Sequence, residues 1–354
     1  MLTERQLLIL ETIIRDYTNL DQPIGSKTLQ QQLPVHVSTA TIRNEMAALE
    51  KLGFIMKEHS SSGRIPSIKG YRYYVDNMIK PATIDSNSLK GIQNFFGTKY
   101  HKVDELIEMS AGILSDLTNY TTIALKPEKS DLTLQGFRMV PLENGQVMVI
   151  LVASDGTVES QVYNIPVGIN GEAIESVISL INDQLVGLPL KNLTSKLLEI
   201  LPHLTKYLQD PNAFIDVFGD VLNKAISEQF YVGGKRNLLN NVKNDNIEQI
   251  KSLYSLVDKS PGKIEEIVDN SKKLKTGGNS DISVAIGDEL TNQLLLDYSV
   301  ISAKYDVGNF GKGVIAILGP TNMPYSKMIG ILGAFQEELT KKLVEFYKDF
   351  NSSN

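Results

Sequence analysis

The chain has 354 residues, none of them cysteine, with 35 Lys/Arg against 41 Asp/Glu and a formal net charge of −6. The lack of thiols excludes disulfide scaffolds, zinc–thiolate sites and thiol catalysis. No apolar run approaches the roughly 18 residues of a membrane span; the longest, Val147 to Ala153, suits a buried strand. At about 100–200 residues per domain the length predicts two or three domains, and the absence of a basic-then-apolar leader predicts a cytoplasmic protein.

Thr3 and Gln6 have the spacing of a capping box, and Leu7, Leu10, Ile14 and Tyr17, widened by Leu8 and Ile13, continue a helical stripe. A second helix is predicted from Ser26, after the Pro23-Ile24-Gly25 turn, with Leu29 and Leu33 inward. Pro34 to Val37 then leads to Ser38, whose hydroxyl can cap a third helix. In that helix Ile42, Met46 and Leu49 recur at helical spacing and predict one buried face. Thr39, Thr41, Arg43, Asn44 and Glu45 lie on or beside the opposite face, near the N-terminal end. A helix entering the major groove presents its N-terminal residues to the bases, where Arg suits guanine and Asn suits adenine. Gly53 suits a left-handed helix stop, Phe54-Ile55-Met56 a strand, and Ser60-Ser61-Ser62-Gly63 a turn. Three helices and a hairpin in this order make a winged helix-turn-helix over residues 1–80.

Charge supports this reading. Residues 1–80 carry ten Lys/Arg against eight Asp/Glu, while the rest carries 25 against 33. Phosphate contacts need local positive charge. Ser38, Thr39, Thr41, Arg43, Asn44, Lys57, Arg64, Lys69 and Arg72 are therefore the predicted contacts to double-stranded DNA, with Arg64 on the wing and Lys69 and Arg72 just after it reaching the backbone. For His59, at the wing base, a hydrogen bond within the turn is expected.

Beyond the Pro81–Asn87 linker, residues 86–120 read as helical, with Val103, Leu106, Ile107, Ile113, Leu114 and Leu117 on an apolar face. Asn144-Gly145 and Asp155-Gly156 are two-residue hairpin signals separating the runs 136–141, 146–153 and 157–165, an antiparallel meander. Helices return over 171–188, over 194–208 with Pro202 inside, and after the Asp210-Pro211 start pair. Ile174, Val177, Ile178, Ile181 and Leu185, then Phe214, Val217, Phe218, Val221 and Ile226, form apolar stripes suited equally to a monomer core or to a contact between subunits. Strands are predicted at 282–286, 300–305 and 313–318, and a last helix from about Ser326 to Tyr347. The fold class is α+β: a sheet domain interrupted by helices.

Catalytic arrangements are missing. The four histidines, His36, His59, His101 and His203, form no His-Glu-x-x-His motif, and no Gly-x-Ser-x-Gly elbow occurs. Gly233-Gly234-Lys235 and Gly308–Gly313 lack the P-loop pattern and are read as turns; Glu265-Glu266 is read as solvated surface. No catalytic residue, metal or cofactor is expected. Tyr231–Leu239 suits a partner surface or a close backbone approach equally, and Gly319–Tyr325 either a plain strand end or an effector site.

The segments IGSKTL (24–29), VSTATIRNEMAALEKLGF (37–54) and GRIPSIKGYRYYVD (63–76) resemble the heat-inducible transcription repressor family HrcA. The likeness continues through YVGGKRNLLN (231–240), IGDEL (286–290), YSVISAKY (298–305) and GPTNMPY (319–325), and covers nearly the whole chain. The GRIPS-x-KGYR block is specific; the helix alone is not, since DeoR-type repressors carry a similar TIR pattern. Two departures stand out: HSSSGRIP where the family more often has HTSAGRIP, and Asn322 where Arg is common. The resemblance implies a GAF-like domain at 86–165 and 240–350 and an inserted dimerising domain at 166–239. It also implies a homodimer on an inverted-repeat operator (CIRCE) before chaperone operons such as groE and dnaK, and the GroEL chaperonin as the partner that keeps the repressor active. A dimer contact is expected through Ile174, Val177, Ile178, Ile181, Leu185, Phe214, Val217, Phe218 and Val221. Two rival readings are a metabolite-responsive repressor and a DNA-independent adaptor or enzyme whose winged helix binds protein.

Overall fold

The computed structural model describes residues 2–58, 63–128, 132–143, 145–154, 156–164, 171–208, 211–226, 230–241, 252, 272–273, 281–290 and 292–352. The expected roles of His59, of the wing tip Ser60–Ser62, of Asp210 as a cap and of Glu265-Glu266 lie outside the described residues. The chain divides into two units. One comprises 1–127, 229–308 and 312–354; the other comprises 128–228 with 309–311.

The first unit opens with α1 (Glu4–Leu20), α2 (Ser26–Gln32) and α3 (Thr39–Lys51), the antiparallel hairpin β1 (Ile55–Met56) and β2 (Ile65–Pro66), and α4 (Ile68–Asn77). This is the order of a winged helix-turn-helix. The Thr3–Gln6 capping box forms as its spacing predicts. Ile9, Leu10, Ile13 and Ile14 of α1 close over Leu29, Ile42 and Leu49 to make the core. Leu10, Ile13, Ile14 and Tyr17 of the expected stripe are buried, Ile9 joins them, and Leu7 and Leu8 are only half-buried. The predicted helix over 86–120 breaks at Gly97 into α5 (Ser86–Phe96), capped by Asp85, and α6 (Val103–Thr118).

A six-stranded sheet completes this unit, in the order β7 (Phe230–Gly233), β3 (Thr121–Glu128), β11 (Lys312–Pro320), β10 (Tyr298–Asp306), β9 (Ile282–Ile286) and β8 (Lys272–Lys273). β10 is antiparallel to both neighbours, and its first six residues are all buried, so both sheet faces are covered. The 28-residue α10 (Tyr325–Ser352) crosses β10 and β11 and packs on α5 and α6. The YVGGK motif is a close approach. A Cβ on Gly233 would stand 2.1 Å from the Ala111 carbonyl oxygen, and Gly234 has φ +61°.

The second unit corrects two expectations. The meander β4 (Leu134–Leu142), β5 (Gln146–Ala153) and β6 (Val158–Asn164) does not join the large sheet. It forms its own sheet with α7 (Gly171–Leu185), α8 (Leu193–Leu204) and α9 (Pro211–Ile226) on one face. The unit border thus falls near 128 and 228 rather than at 165 and 239. The hairpin turns alone do not say which sheet a meander belongs to; the inward row Val147, Val149, Leu151 and Ala153 does, because it meets the helices.

The second correction concerns the apolar stripes. Ile174, Val177, Ile181, Leu185, Phe214, Phe218 and Val221 are all buried within this one chain, and Ile178 and Val217 pack against them half-buried. Phe137 of β4 meets Phe214 and Phe218 at ring-centroid distances of 6.2 and 5.2 Å. The stripes are monomer core, since the three-stranded sheet supplies the partner that the helices alone lack.

Candidate DNA interface

The site begins at Ser38. Its hydroxyl accepts from Thr41 N at 3.1 Å and lies 2.9 Å from Thr41 Oγ1, so both side chains are engaged in the cap of α3 and Thr39 is half-buried. With Ile42, Met46 and Leu49 inward, the exposed residues of α3 are Ala40, Arg43, Asn44, Ala47 and Lys51. This face is polar at Arg43, Asn44 and Lys51 and small at Ala40 and Ala47. Ala40 and Ala47 are missing from the sequence-predicted set because composition arguments pass over alanine. The i, i+3, i+4, i+7 spacing from Ala40 through Arg43 and Asn44 is the signal that finds them.

Neighbouring helices hold α3 in place. Arg43 Nε donates to Ser26 Oγ at 3.2 Å. Glu45 accepts from Arg5 Nη1 at 3.3 Å and from Gln6 Nε2 at 3.0 Å. Gln30 Nε2 donates to Val37 O at 3.0 Å and steadies the link between α2 and α3. Lys27 on α2 is exposed, at the helix that in such motifs crosses the phosphate backbone.

The GRIPS-x-KGYR block is turned inward. Arg64 exchanges both backbone hydrogen bonds with Ile24, each 2.9 Å. A Cβ on Gly63 would meet Ile24 backbone atoms at 2.5 Å. Gly63 lies outside the positive-φ glycines, so close approach, rather than a left-handed turn, demands glycine here. The Arg64 guanidinium is 18% exposed and donates to Glu50 Oε2 from Nε at 3.0 Å and from Nη2 at 2.7 Å. Ser67 caps α4 by accepting from Gly70 N, and Gly70 leaves room for the Phe54 carbonyl, 2.1 Å from where a Cβ would sit. Lys69 Nζ donates to Leu52 O at 2.8 Å and stands 5.0 Å over the Phe54 ring.

Arg72 is mostly covered, its side chain 14% exposed. It donates to the Glu289 carboxylate through Nε at 2.9 Å and again through Nη2, to Val284 O at 2.8 Å and to Asp76 Oδ1 at 3.1 Å. Asn322 Nδ2 donates to Asp21 Oδ1 at 2.9 Å. Ser326 donates to Lys80 O, and Ala82 N donates to Ser326 O at 3.0 Å. These contacts stitch the winged helix to the sheet. The Tyr71 and Tyr325 rings meet there at 5.8 Å, and burial pushes both hydroxyls well above the ordinary phenol range, so both stay neutral at physiological pH. Of the predicted contacts, then, Arg43, Asn44, Lys57 and Lys69 are exposed, Lys69 with a hydrogen bond to Leu52 O, Ser38 and Thr41 serve the cap, and Arg64 and Arg72 are committed internally.

Residues 104–329 match the model of the HrcA protein C terminal domain. The chain is 68% identical over 351 residues to the heat-inducible transcription repressor HrcA of Ligilactobacillus salivarius, covering 99% of this chain and all of that protein. This chain belongs to the HrcA family of heat-inducible transcription repressors. The HrcA of Limosilactobacillus reuteri (strain DSM 20016) is 48% identical over the full length of both chains. A crystal structure titled as a hypothetical protein at 2.2 Å resolution shares the fold, with a TM-score of 0.56 at 22% identity and coverage of 97% and 98% of the two chains. HrcA is thus a family of transcription repressors and not of enzymes. Among the described residues no helix is long and apolar enough to cross a membrane.

Proposed function

We propose that this protein represses chaperone operons such as groE and dnaK by binding the inverted-repeat CIRCE operator as a cytoplasmic homodimer, and that the GroEL chaperonin maintains its active form. The observation that carries the DNA reading is the outward face of α3, where Ala40, Arg43, Asn44 and Ala47 stand clear while Ile42, Met46 and Leu49 are buried. The membership of the chain in a repressor family supports it. The large sheet and its helices serve as the GAF-like domain in this reading. The chaperonin role follows a mass-action logic. A partner that favours the competent form shifts its population until unfolded protein competes for that partner.

An inverted repeat needs a two-fold protein, because identical half-sites meet identical recognition helices. With the α7 and α9 stripes taken up in the core, the outer face of the three-stranded sheet is the better surface. Val140 pairs with Met148, Met148 with Val162, and Val152 with Val158. Val140, Val158 and Val162 are exposed, Val158 at 58%. An apolar row of this kind on a solvated sheet face marks a contact site. The test is a gel shift against the upstream regions of the host chaperone operons, with and without chaperonin, run beside sedimentation of a Val158→Asp/Val162→Asp variant. Specific, salt-sensitive binding that chaperonin strengthens is expected, with a monomeric variant that binds poorly. Absence of specific binding overturns the operator reading, and a dimeric variant moves the interface elsewhere.

A further inference from the structure

The seam between the winged helix and α10 contains a cleft of about 200 Å³. Ile14, Met323 and Pro324 give it apolar walls, and Tyr74, Arg15 and Lys327 give it polar ones. We propose that this cleft is an effector site for a small monocarboxylic acid with a short apolar body.

Three observations carry the assignment. The first is charge. The lining includes two cations and no carboxylate. Arg15 is held in place, its Nε donating to Asp16 Oδ1 at 3.1 Å and its Nη2 to Gln32 Oε1 at 3.0 Å. Asp16 offsets part of that charge, but Lys327 makes no ion pair among the described residues. One anionic group therefore matches the site, and a second does not. The second is shape and polarity. The cleft is smaller than the roughly 300–1,000 Å³ of a drug-sized site. Long acyl chains and nucleotides do not fit it, and its apolar walls favour a short aliphatic or aromatic body over a bare inorganic anion.

The third is position. Arg15 and Ile14 belong to α1, Tyr74 to α4, and Met323 to Lys327 to the start of α10. Beside the cleft, Tyr71 packs on the lining residue Tyr325, their ring centroids 5.8 Å apart. An occupant touching α1 and α10 together binds the assembled seam better than a loosened one, and so shifts the population toward it. The site is independent of the operator assignment, because no residue of the α3 face lines it.

The test is thermal unfolding of the intact protein with phenylacetate, with its uncharged isostere phenylacetamide and with inorganic phosphate, each at millimolar concentration. Phenylacetate is expected to raise the melting temperature by a few degrees in a concentration-dependent way, with little change from the other two. Lys327→Gln should keep the unliganded melting temperature and lose the response, and Lys327→Arg should retain it. An equal shift from phenylacetamide or phosphate overturns the assignment. So does a full response in Lys327→Gln, or no response to phenylacetate or to the smaller isobutyrate. Operator binding measured without added acid reports separately on the repressor reading.

Discussion

Two stretches of the winged helix carry the same kinds of residue and use them differently. On α3, Arg43 and Asn44 stand on an open face, and Arg43 makes one exposed hydrogen bond to Ser26. From Gly63 to Arg72 the two arginines are turned inward, Arg64 to Glu50 and Arg72 to Glu289, while Lys69 stays exposed and donates to the Leu52 carbonyl. Both stretches fit DNA contacts by composition. What separates them is the presence of a carboxylate or carbonyl within reach, which only the tertiary structure supplies. A segment rich in Arg and Lys can therefore serve assembly within the chain.

The largest test of that contrast is Arg72→Met. Removing one member of a buried ion pair leaves the other charge without compensation, which costs about 3–5 kcal/mol. Glu289 is 13% exposed and its carboxylate keeps the hydrogen bond from Ile286 N, so the loss should fall toward the lower end of that range. Chemical denaturation should show the loss, and the double variant Arg72→Met/Glu289→Met should recover much of it. If Arg72→Met instead leaves stability intact and weakens operator binding with a smaller salt slope, Arg72 belongs with Arg43 and the contrast fails.

Gly63→Ala and Gly70→Ala come next. Each Cβ would lie within 2.5 Å of backbone atoms, of Ile24 and of Phe54 respectively. Backbone cannot yield as a flexible side chain does, so the loss should reach the upper end of the about 1–3 kcal/mol of overpacking. Thermal unfolding and protease sensitivity of residues 1–80 within the full chain measure it. Gly53→Ala is the comparison. Its φ of +79° disfavours a side chain, but only Lys69 lies within 4 Å, so the smaller effect is expected there.

How far the sequence alone reaches follows from the same residues. The Thr3 and Ser38 caps, the Ile42–Met46–Leu49 face and the hairpin strands were legible because each depends on residues within one turn or one strand pair. The open face of α3 was legible as the complement of its buried one. Arg64, Arg72 and the α7 and α9 stripes were not, because their partners lie elsewhere: Glu50 is 14 residues away, Glu289 is 217 away, and the helical stripes meet strands 134–153. Periodicity identifies a face that must be covered, and it does not name the cover.

On α3 itself, Arg43→Ala should weaken operator binding by about 1–3 kcal/mol and relax preference at one base position. Binding to the operator and to a single-base variant series checks it. Uniform weakening across the series would make Arg43 a phosphate contact, and an unchanged affinity would remove α3 from the interface. Stability should hardly move, since the side chain is exposed and its bond to Ser26 is solvated.

The finest test asks whether the inward block is wholly inward. Glu50 holds Arg64 and stands 4.0 Å from Lys57. It therefore competes with any phosphate that approaches the wing base. Glu50→Gln keeps the shape, removes the charge and releases the guanidinium. If Arg64 then reaches the backbone, the dependence of log affinity on log salt should steepen by about one unit, and affinity at low salt should rise. If the slope stays the same while stability falls slightly, Arg64 is held by its backbone exchange with Ile24 and by packing alone. The wing base then positions α3 without touching DNA. The double variant Glu50→Gln/Arg64→Gln separates these outcomes, because it returns the slope to its original value only when Arg64 is the added contact.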